Sequence, residues 1–573
     1  MSTELTALVA SMNQAREQLT GAGAPWELEQ RRINDTELRS YKQAPGTLRD
    51  AIDGGRAHGA KTCVTYEDEQ YSFDAFFNAA DRLAQHLVNH HGIVKGDRIA
   101  IGMRNYPEWM ISFAAIVSIG AIVVPLNSWG RSEELGYAIG DSGARLVICD
   151  PERLNYLRDQ LEALNCKAIQ VRGDDTRDER IEPWSLSQRN AASEPEVEIS
   201  PGDLAIIMYT SGTTGKPKGA ASTHFAVSQA LYNMEFMAAM SAMANMPTIE
   251  KMMGSGFEPA TLLAVPLFHV SGCYAVFLGN LRGGRKTTIM YKWDPEQALE
   301  LIERERITIF TGVPAMSLAL LGSPKFDSTD TSSLFSIGAG GTACPPHLKD
   351  AIYARLPNAY PGTGYGMTET NATGSSCTGA AYRLRPDSAG TVSPIVDIKT
   401  VDAMGNTLPP GSSGEIYLKS PTNVQQYWNL PEASAATFID GWVATGDVGY
   451  VDDLNFLYVV DRIKDMVIRG GENIYPIEVE GVLLSHPAVL EAAVFGVPHD
   501  HWGEELVATV YLGTAQAKET ELRAYLSEQL AAFKVPARIN ISAIELPKNA
   551  TGKIVKKTVK AQCLESLSAA REA

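Results

Sequence analysis

Residues 209–219 concentrate groups that can bind a polyphosphate, since they read Tyr-Thr-Ser-Gly-Thr-Thr-Gly-Lys-Pro-Lys-Gly. The glycines let the backbone approach an anion closely, and the hydroxyl groups and two lysines supply donors and positive charge. The apolar residues 204–209 predict a buried strand that leads into this loop. A Walker P-loop is excluded because only two residues separate the first two glycines and proline follows the first lysine. Turn chemistry alone would account for the glycines and the proline, but not for the clustered threonines and lysines.

Three later segments offer complementary chemistry. Gly364–Thr370 combines an aromatic face for a base, a hydroxyl for phosphate and a carboxylate, Glu369, that can hold Mg²⁺. Gly441–Asp447 ends in a carboxylate that can accept hydrogen bonds from both hydroxyls of a ribose. Pro547–Lys553 ends in a lysine that, on the sequence alone, is typical of a solvated turn.

These motifs, in this order, closely resemble those of the adenylate-forming superfamily, which includes acyl-CoA synthetases, adenylation domains and beetle luciferases. The resemblance runs from about residue 50 to 560, and Tyr365–Glu369 matches the family's Tyr-Gly-x-Thr-Glu motif at every fixed position. It implies a two-step reaction with ATP, Mg²⁺ and coenzyme A. A carboxylate first attacks the α-phosphate of ATP to give an acyl-adenylate and pyrophosphate, and the thiol of coenzyme A then displaces AMP.

The resemblance also implies which residues act. Glu369 would hold Mg²⁺, and Lys553 would stabilise charge on the carboxylate and α-phosphate; Thr210 and His269 complete the expected catalytic set. The expected ATP- and AMP-binding residues are Thr210, Ser211, Gly212, Thr213, Thr214, Gly215, Lys216, Lys218, Gly340, Gly341, Thr342, Gly364, Tyr365, Gly366, Met367, Thr368, Asp447 and Arg462.

The acyl and thiol side of the site is less clearly marked. A lone histidine in apolar company, such as His269, is usually a core residue, whereas the resemblance places it beside the acyl and thiol channel. The expected acyl pocket consists of His269, Gly312, Gly338 and Gly340. The segment Arg469–Asn473 is similar to that of acyl- and aryl-CoA ligases, so the expected coenzyme A contacts are Gly470, Gly471 and Glu472. Lys464 occupies the family's hinge position.

Three functions therefore compete. The first is an acid–CoA ligase, for which we predict a medium- or long-chain fatty acid, while aryl acids and a sterol side chain also fit the expected apolar pocket. The second is a free-standing adenylating enzyme that passes the acyl group to a separate carrier protein or an amine. The third is a catalytically silent nucleotide-binding homologue, which the intact motifs oppose.

The composition indicates which ligands and which cellular compartment to expect. The formal net charge of −17 argues against nucleic-acid binding, and the seven scattered cysteines predict a reduced, cytoplasmic chain without disulfides. The apolar residues 110–126 are short for a membrane span and predict a buried helix running into a strand. Dimers are common in the family, but the sequence leaves the oligomeric state, including a homodimer, open.

The elements predict an α/β fold in which mainly parallel β-sheets carry the motifs at strand ends. The resemblance adds a distorted barrel to the large domain and a small, mobile α+β domain at the C-terminus. We predict an N-terminal helical extension over 1–46, an adenylation domain over 47–463 and a small domain over 464–573. In the extension, both 14–19 and 26–33 are expected to be helical, as a lid on the core or an oligomer contact.

Methionines recur every third residue from Met234 to Met246. This pattern is typical of a core stripe on a helix, because thioethers fill irregular gaps. An adaptable wall for an apolar acyl chain and an apolar interface are the alternatives.

Overall fold

The computed structural model of the protein describes residues 3–33, 35–174, 178–210, 216–341, 344–470, 472–499, 501–549 and 552–572. Within these residues the strands form three large sheets and one two-stranded ribbon. The helices are Thr3–Thr20, Leu48–Asp53, Phe73–Asn89, Pro107–Ser118, Ser132–Ser142, Pro151–Leu157, Trp184–Ser187, His224–Ala244, Met246–Met253, Gly279–Gly283, Pro295–Glu305, Pro314–Leu321, Pro346–Arg355, Ala380–Leu384, Pro431–Thr437, Pro476–Leu484, Glu519–Gln529 and Lys556–Glu572.

The first sheet is parallel except at the edge that carries the phosphate-loop motif. Its strands are, in spatial order, Gln426–Tyr427, Lys218–Thr223, Leu204–Thr210, Ile122–Pro125, Arg98–Gly102, Leu146–Cys149, Lys167–Gln170 and Ile181–Pro183. The central strands are almost continuously apolar and buried, as strands covered on both faces must be. The strand Leu204–Thr210 pairs in parallel with Ile122–Pro125 but antiparallel with Lys218–Thr223. The phosphate-loop motif is therefore the connection of a hairpin.

The second sheet joins a parallel half to an antiparallel half. Its strands are, in spatial order, Asp397–Val401, Gly414–Lys419, Trp442–Val451, Phe456–Arg462, Gly390–Val392, Ser375–Thr378, Gly362–Tyr365, Ser336–Ala339, Ile309–Gly312, Ala260–Leu263, Lys286–Ile289, Thr62–Tyr66 and Glu69–Ser72, with Phe438–Ile439 paired to Trp442–Val451. Pairing is parallel from Gly362–Tyr365 to Thr62–Tyr66 and antiparallel on either side. The α/β fold expected from the sequence is confirmed.

The C-terminal part has its own sheet and core. Its strands are Glu472–Ile474, Val467–Arg469, Gly503–Tyr511 and Glu491–His499, with Arg538–Ser542 paired to Gly503–Tyr511. Two hydrophobic clusters here draw only on residues from Val467 to Leu564. This separation supports our proposed domain boundary at Lys464.

The N-terminal extension differs from the prediction in its second half. Residues Thr3–Thr20 are helical, but Leu28–Ile33 is a strand that pairs antiparallel with Thr36–Tyr41. Tertiary contacts override the helical pattern, since the hairpin packs on the helix His224–Ala244. The Trp26 indole donates to the Tyr232 carbonyl at 3.2 Å. The prediction of a helix over 26–33 is wrong.

The methionine segment lies mainly beneath this extension. Met237 and Met240 are buried in a cluster with Leu8 and Met12 of the N-terminal helix, which fits core packing. A three-residue step falls about 60° short of a full helical turn. The stripe therefore rotates out of the core, and Met243 is 37% exposed.

The apolar segment 110–126 is divided between the helix Pro107–Ser118 and the strand Ile122–Pro125, both buried. Among the helices of the described residues, we find none with the length and apolarity needed to cross a bilayer.

Candidate active site

The predicted site residues follow four neighbouring parallel strands of the second sheet. These strands are Ala260–Leu263, Ile309–Gly312, Ser336–Ala339 and Gly362–Tyr365. The carboxyl ends of parallel strands lie along one edge of a sheet. His269, Gly312, Gly340 and Tyr365 therefore lie at or beyond strand ends along this same edge. The sheet topology thus brings together motifs that are up to about 100 residues apart in sequence.

Asp447 is held by two partners, one of them in the strand Gly362–Tyr365. The Tyr365 hydroxyl donates to its Oδ2 at 2.8 Å, and the Arg462 Nε donates to its Oδ1 at 3.0 Å. Asp447 as a whole is only 6% exposed. Gly446, with φ of 70°, precedes it within the strand Trp442–Val451. Burial and the charge of Asp447 raise the pKa of Tyr365, so its hydroxyl remains a donor at neutral pH.

Glu369, the predicted Mg²⁺ ligand, is buried and oriented by a residue that the motif does not contain. The Tyr427 hydroxyl donates to Glu369 Oε1 at 2.7 Å. The Lys218 ammonium lies 4.9 Å from the centroid of the Tyr427 ring. Tyr427 therefore connects the end of the phosphate-loop hairpin to the carboxylate. The donor set, one buried carboxylate beside a cation-rich loop, fits Mg²⁺ bound together with phosphate oxygens.

The two ends of the phosphate loop are adjacent. Thr210 pairs directly with Lys218 in the antiparallel ladder, and the Thr210 hydroxyl donates to the Lys218 carbonyl at 3.4 Å. Lys216 lies 5.3 Å from the centroid of the Tyr137 ring. Seven predicted residues lie outside the described residues, namely Ser211, Gly212, Thr213, Thr214, Gly215, Thr342 and Gly471.

Lys553 reaches the same edge from the small domain. A Cβ added to its neighbour Gly552 would lie 3.1 Å from Cγ2 of Val313, the residue that follows the strand Ile309–Gly312. The Lys553 turn is closed by Asn549, whose side-chain oxygen accepts from the Lys553 N–H at 2.9 Å. Burial, followed by the charge of Arg462, lowers the pKa of Lys553 to about 8. A solvated turn lysine would not show this shift.

His269 lies close enough to Lys553 for the lysine's charge to act on it. Its Nδ1 is 3.0 Å from the Ser271 hydroxyl. Burial, with a smaller contribution from the charge of Lys553, lowers the pKa of His269 to about 4, so the imidazole is neutral near pH 7. A π-helical segment, Ser271–Leu278, follows, an irregularity often found at functional sites. A Cβ at Gly272 would lie 2.2 Å from the Pro266 carbonyl oxygen, so this close turn requires glycine.

The predicted acyl-pocket glycines differ in their surroundings. A Cβ on Gly340 would meet nothing within 4 Å, so this position borders open space. At Gly312 and Gly338 an added Cβ would lie 3.0 Å from the Phe310 ring and the Thr311 hydroxyl, respectively. Of these three, Gly340 is the one that leaves room for a ligand, whereas the other two accommodate neighbouring side chains.

The motif Gly364–Thr370, which is predicted to bind the nucleotide, forms a compact turn. Gly366 packs against the backbone of Ala372, where a Cβ would lie 2.5 Å from the carbonyl oxygen. The Met367 N–H donates to the Thr370 hydroxyl at 3.2 Å, and Thr368 begins the short 3₁₀ helix that contains Glu369. Gly364 lies in the strand Gly362–Tyr365, and Gly341 has φ of 80°.

The predicted hinge and coenzyme A residues lie together at the start of the small domain. Lys464 is exposed in the 3₁₀ turn Ile463–Asp465. Gly470 has φ of 61°, and a Cβ there would lie 2.8 Å from the Trp502 ring. Glu472 is exposed next to this turn.

Comparison with known proteins decides the family. Residues 53–428 match the family model described as AMP-binding enzyme, and residues 478–553 match that of the AMP-binding enzyme C-terminal domain. The chain belongs to the family of AMP-binding enzymes, within the adenylate-forming superfamily.

The names of similar AMP-binding enzymes refer to different acids. The chain is 32% identical over 546 residues to the long-chain-fatty-acid–CoA ligase FadD13 of Mycobacterium tuberculosis, covering 94% of this chain and 98% of that protein. It is 35% identical over 470 residues to the feruloyl-CoA synthase of an Amycolatopsis species, covering 82% and 89%. A solved structure of the o-succinylbenzoate CoA synthetase of Bacillus subtilis, in complex with its acyl-adenylate intermediate, shares 30% identity and a TM-score of 0.73, covering 90% and 98%. The chain is accordingly an AMP-forming acid–thiol ligase.

Two contacts of this AMP-binding enzyme were not predicted from the sequence. Tyr427 lies 58 residues beyond Glu369, outside any motif that we identified. Val313 is an ordinary apolar residue next to a strand-end glycine, and only the folded structure places it against the turn of the small domain.

Proposed function

We propose that the protein is an ATP-dependent carboxylic acid–CoA ligase whose acid is a medium- or long-chain fatty acid. The observation that carries the proposal is the position of Lys553. The charges of Arg462 and Asp447 act on this lysine, whose pKa is lowered, and its own charge acts on His269. A fixed charge in a site of this kind stabilises charge that develops during reaction.

In the first step, this chain would act by positioning and electrostatics. Asp447, fixed by Tyr365 and Arg462, presents its carboxylate to the ribose hydroxyls of ATP. The loop at 210–219 and Lys218 would neutralise the β- and γ-phosphates. Glu369 would hold a Mg²⁺ ion, which supplies charge neutralisation at the phosphates. No covalent enzyme intermediate is required.

Lys553 would stabilise the negative charge shared by the attacking carboxylate and the α-phosphate. A carboxylate oxygen forms a bond to the α-phosphorus while the bond from this phosphorus to the oxygen shared with the β-phosphate breaks, so pyrophosphate leaves and an acyl-adenylate remains. His269 is neutral near pH 7 and would contribute shape and polarity next to the acyl carbon rather than a second positive charge.

In the second step, the thiol of coenzyme A would attack the acyl carbon and release AMP. Lys553 occupies the edge in the arrangement described, so it would have to leave before the thiol enters. We propose that the small domain from Lys464 onward rotates about Lys464, and that Gly470, Gly471 and Glu472 then contact coenzyme A. Hinges of this kind absorb a change of backbone angle at a few residues that end elements.

The acid class rests on apolar surroundings and on similarity. Gly340 borders open space, and the nearby Val313 is apolar while His269 is uncharged at neutral pH. A relative that matches 94% of this chain is named as a long-chain-fatty-acid–CoA ligase, which favours a fatty acid over an aromatic one. Because Met237 and Met240 pack under the N-terminal helix, we do not assign these two methionines to the acyl pocket.

The test is release of pyrophosphate with a panel of fatty, aryl and steroid acids, each with and without coenzyme A. We expect sustained turnover only with coenzyme A, highest with medium- or long-chain fatty acids, and detection of the acyl-CoA. Highest turnover with an aryl or steroid acid would contradict the acid class alone. A burst that stalls at the acyl-adenylate even with coenzyme A would contradict coenzyme A as the acceptor. It would indicate a separate carrier protein or an amine instead.

A further inference from the structure

Three histidines converge on one carboxylate at the far edge of the first sheet. His86 lies in the last turn of the helix Phe73–Asn89, His90 is its C-terminal cap and His91 follows. Glu182 belongs to the edge strand Ile181–Pro183. Nothing in the ligase reaction described above uses this cluster.

The four side chains already face one another closely. The Nε2 atoms of His86 and His91 lie 2.6 and 2.8 Å from Glu182 Oε1, and the Nε2 atom of His90 lies 3.3 Å from Oε2. One ligand atom from each residue lies within 4.8 Å of the others. In a tetrahedral zinc site with bonds of about 2.0–2.1 Å, ligand atoms are about 3.3 Å apart. To reach that spacing, the Glu182 carboxylate would withdraw from His86 and His91 by roughly 0.5–0.7 Å, and any pair of ligand atoms near the 4.8 Å limit would close by about 1.5 Å.

Burial also suits a bound cation. The side chains of His86, His91 and Glu182 are 8%, 6% and 14% exposed. The His90 side chain is 63% exposed, which provides an entrance for an ion.

A further residue can set the orientation of His86. The Asn190 side chain lies 3.2 Å from His86 Nδ1, on the opposite side of the ring from Glu182. When Nε2 binds a metal, Nδ1 carries the proton, and such a proton is usually donated to a neighbouring oxygen. Rotation of the Asn190 carboxamide would present that oxygen, at the expense of its bond to the Ser187 carbonyl.

We propose that His86, His90, His91 and Glu182 bind one Zn²⁺ ion in a closed, structural site. Three imidazoles and one carboxylate are a donor set that a borderline metal such as zinc prefers, whereas Mg²⁺ prefers oxygen ligands. The ion would fasten the end of the helix Phe73–Asn89 to the edge strand Ile181–Pro183.

This site is distinct from the nucleotide site. Four strands separate Ile181–Pro183 from Leu204–Thr210 in the first sheet. With neighbouring strands about 4.8 Å apart, the zinc site and the start of the phosphate loop are roughly 24 Å apart across the sheet. Zinc binding and adenylation are therefore expected to be separable.

The experiment uses the full chain without a histidine tag, stripped with a chelator and then dialysed. Zinc alone is titrated calorimetrically in the absence of ATP, the metal content is measured, and Tm is recorded with and without zinc. Co²⁺ serves as a spectroscopic probe, because four-coordinate Co²⁺ absorbs visible light strongly. The variants are His90→Ala, whose exposed side chain makes misfolding a minor concern, and Glu182→Gln. His501→Ala, which removes another exposed histidine, is the matched control.

We expect about one zinc per chain, a zinc-dependent rise in Tm and the four-coordinate Co²⁺ spectrum. Each cluster variant should bind zinc at least about 10- to 100-fold more weakly, the range that loss of even an outer-shell partner costs, while His501→Ala binds normally. ATP–pyrophosphate exchange should persist in stripped wild type. Absence of zinc binding, which would mean that protons alone hold the cluster, or equal binding by His90→Ala would overturn the proposal.

Discussion

A Cβ added to Gly552 would lie 3.1 Å from Cγ2 of Val313, so the turn that carries Lys553 touches a strand end of the large domain. Val313 is itself buried, and its branched side chain has little freedom to move away. The contact fixes where the small domain delivers its lysine. In the mechanism that we propose, this arrangement serves adenylation rather than entry of a thiol.

Gly552→Ala should disturb the position of Lys553 and thereby impair adenylation more than thioester formation. The new methyl group would crowd Val313, and overpacking of this kind costs about 1–3 kcal/mol, so we expect adenylation to fall roughly 10-fold or more. Conversion of a supplied acyl-adenylate to acyl-CoA should be nearly unchanged. Gly256→Ala is the control, because Gly256 has the same φ of 80° but an added Cβ would meet nothing within 4 Å. Equal losses in both variants would mean that backbone strain, not the contact, is responsible.

Lys553 itself should control adenylation through its charge. Lys553→Ala is expected to lower ATP–pyrophosphate exchange at least about 100-fold, as removal of one preorganised donor commonly does. Lys557→Ala, which removes an exposed lysine of the next helix, should have no effect. Unchanged exchange in Lys553→Ala would refute the role.

The pH dependence of adenylation should follow from the ionisation of Lys553. The pKa of Lys553 is lowered to about 8, so the lysine is charged below that pH and loses its charge above it. The kcat/KM for ATP in the adenylation step should therefore decline above pH 8, while His269, with a pKa of about 4, should add no limb between pH 5 and 8. Lys553→Arg, if active, should lack the alkaline limb, since arginine stays protonated. An alkaline limb that persists in this variant would assign it to another group.

Some of this organisation was predictable from the sequence and some was not. The strands that lead into the motifs follow from local apolar patterns, and the structure has them at Leu204–Thr210 and Ser336–Ala339. The strand Leu28–Ile33 was not predictable, because its conformation depends on packing against a helix about 200 residues later. The bond from Tyr427 to Glu369 and the contact of Gly552 with Val313 are long-range as well, and no local pattern encodes them.

Tyr427→Phe should test whether Tyr427 positions Glu369. It removes the 2.7 Å hydrogen bond to the carboxylate while leaving the ring beneath Lys218. A hydrogen bond to a charged group contributes about 1.5–3 kcal/mol, so kcat/KM for adenylation should fall about 10-fold or more, with a higher Mg²⁺ requirement. Tyr450→Phe, at a tyrosine that stacks on Tyr458, is the control. If both variants behave alike, Tyr427 has no positioning role.

Lys464→Pro should separate the two steps. Proline fixes φ and restricts the preceding residue, so rotation at the proposed hinge would be blocked. We expect thioester formation to fall more than adenylation, when each step is measured in single turnover. Lys464→Ala, which keeps a free backbone, should retain both steps. Equal loss of both in Lys464→Pro would count against the hinge.

The central claim is that the carboxylate is activated on the α-phosphate of ATP and then transferred to a thiol. The most direct test supplies the best acid of the panel with both carboxylate oxygens labelled with ¹⁸O, together with ATP and coenzyme A, and analyses the products by mass spectrometry. We predict one labelled oxygen in AMP, none in pyrophosphate and one acyl-CoA for each AMP. Label in orthophosphate, with ADP as the nucleotide product, would show activation through an acyl phosphate and would contradict the account.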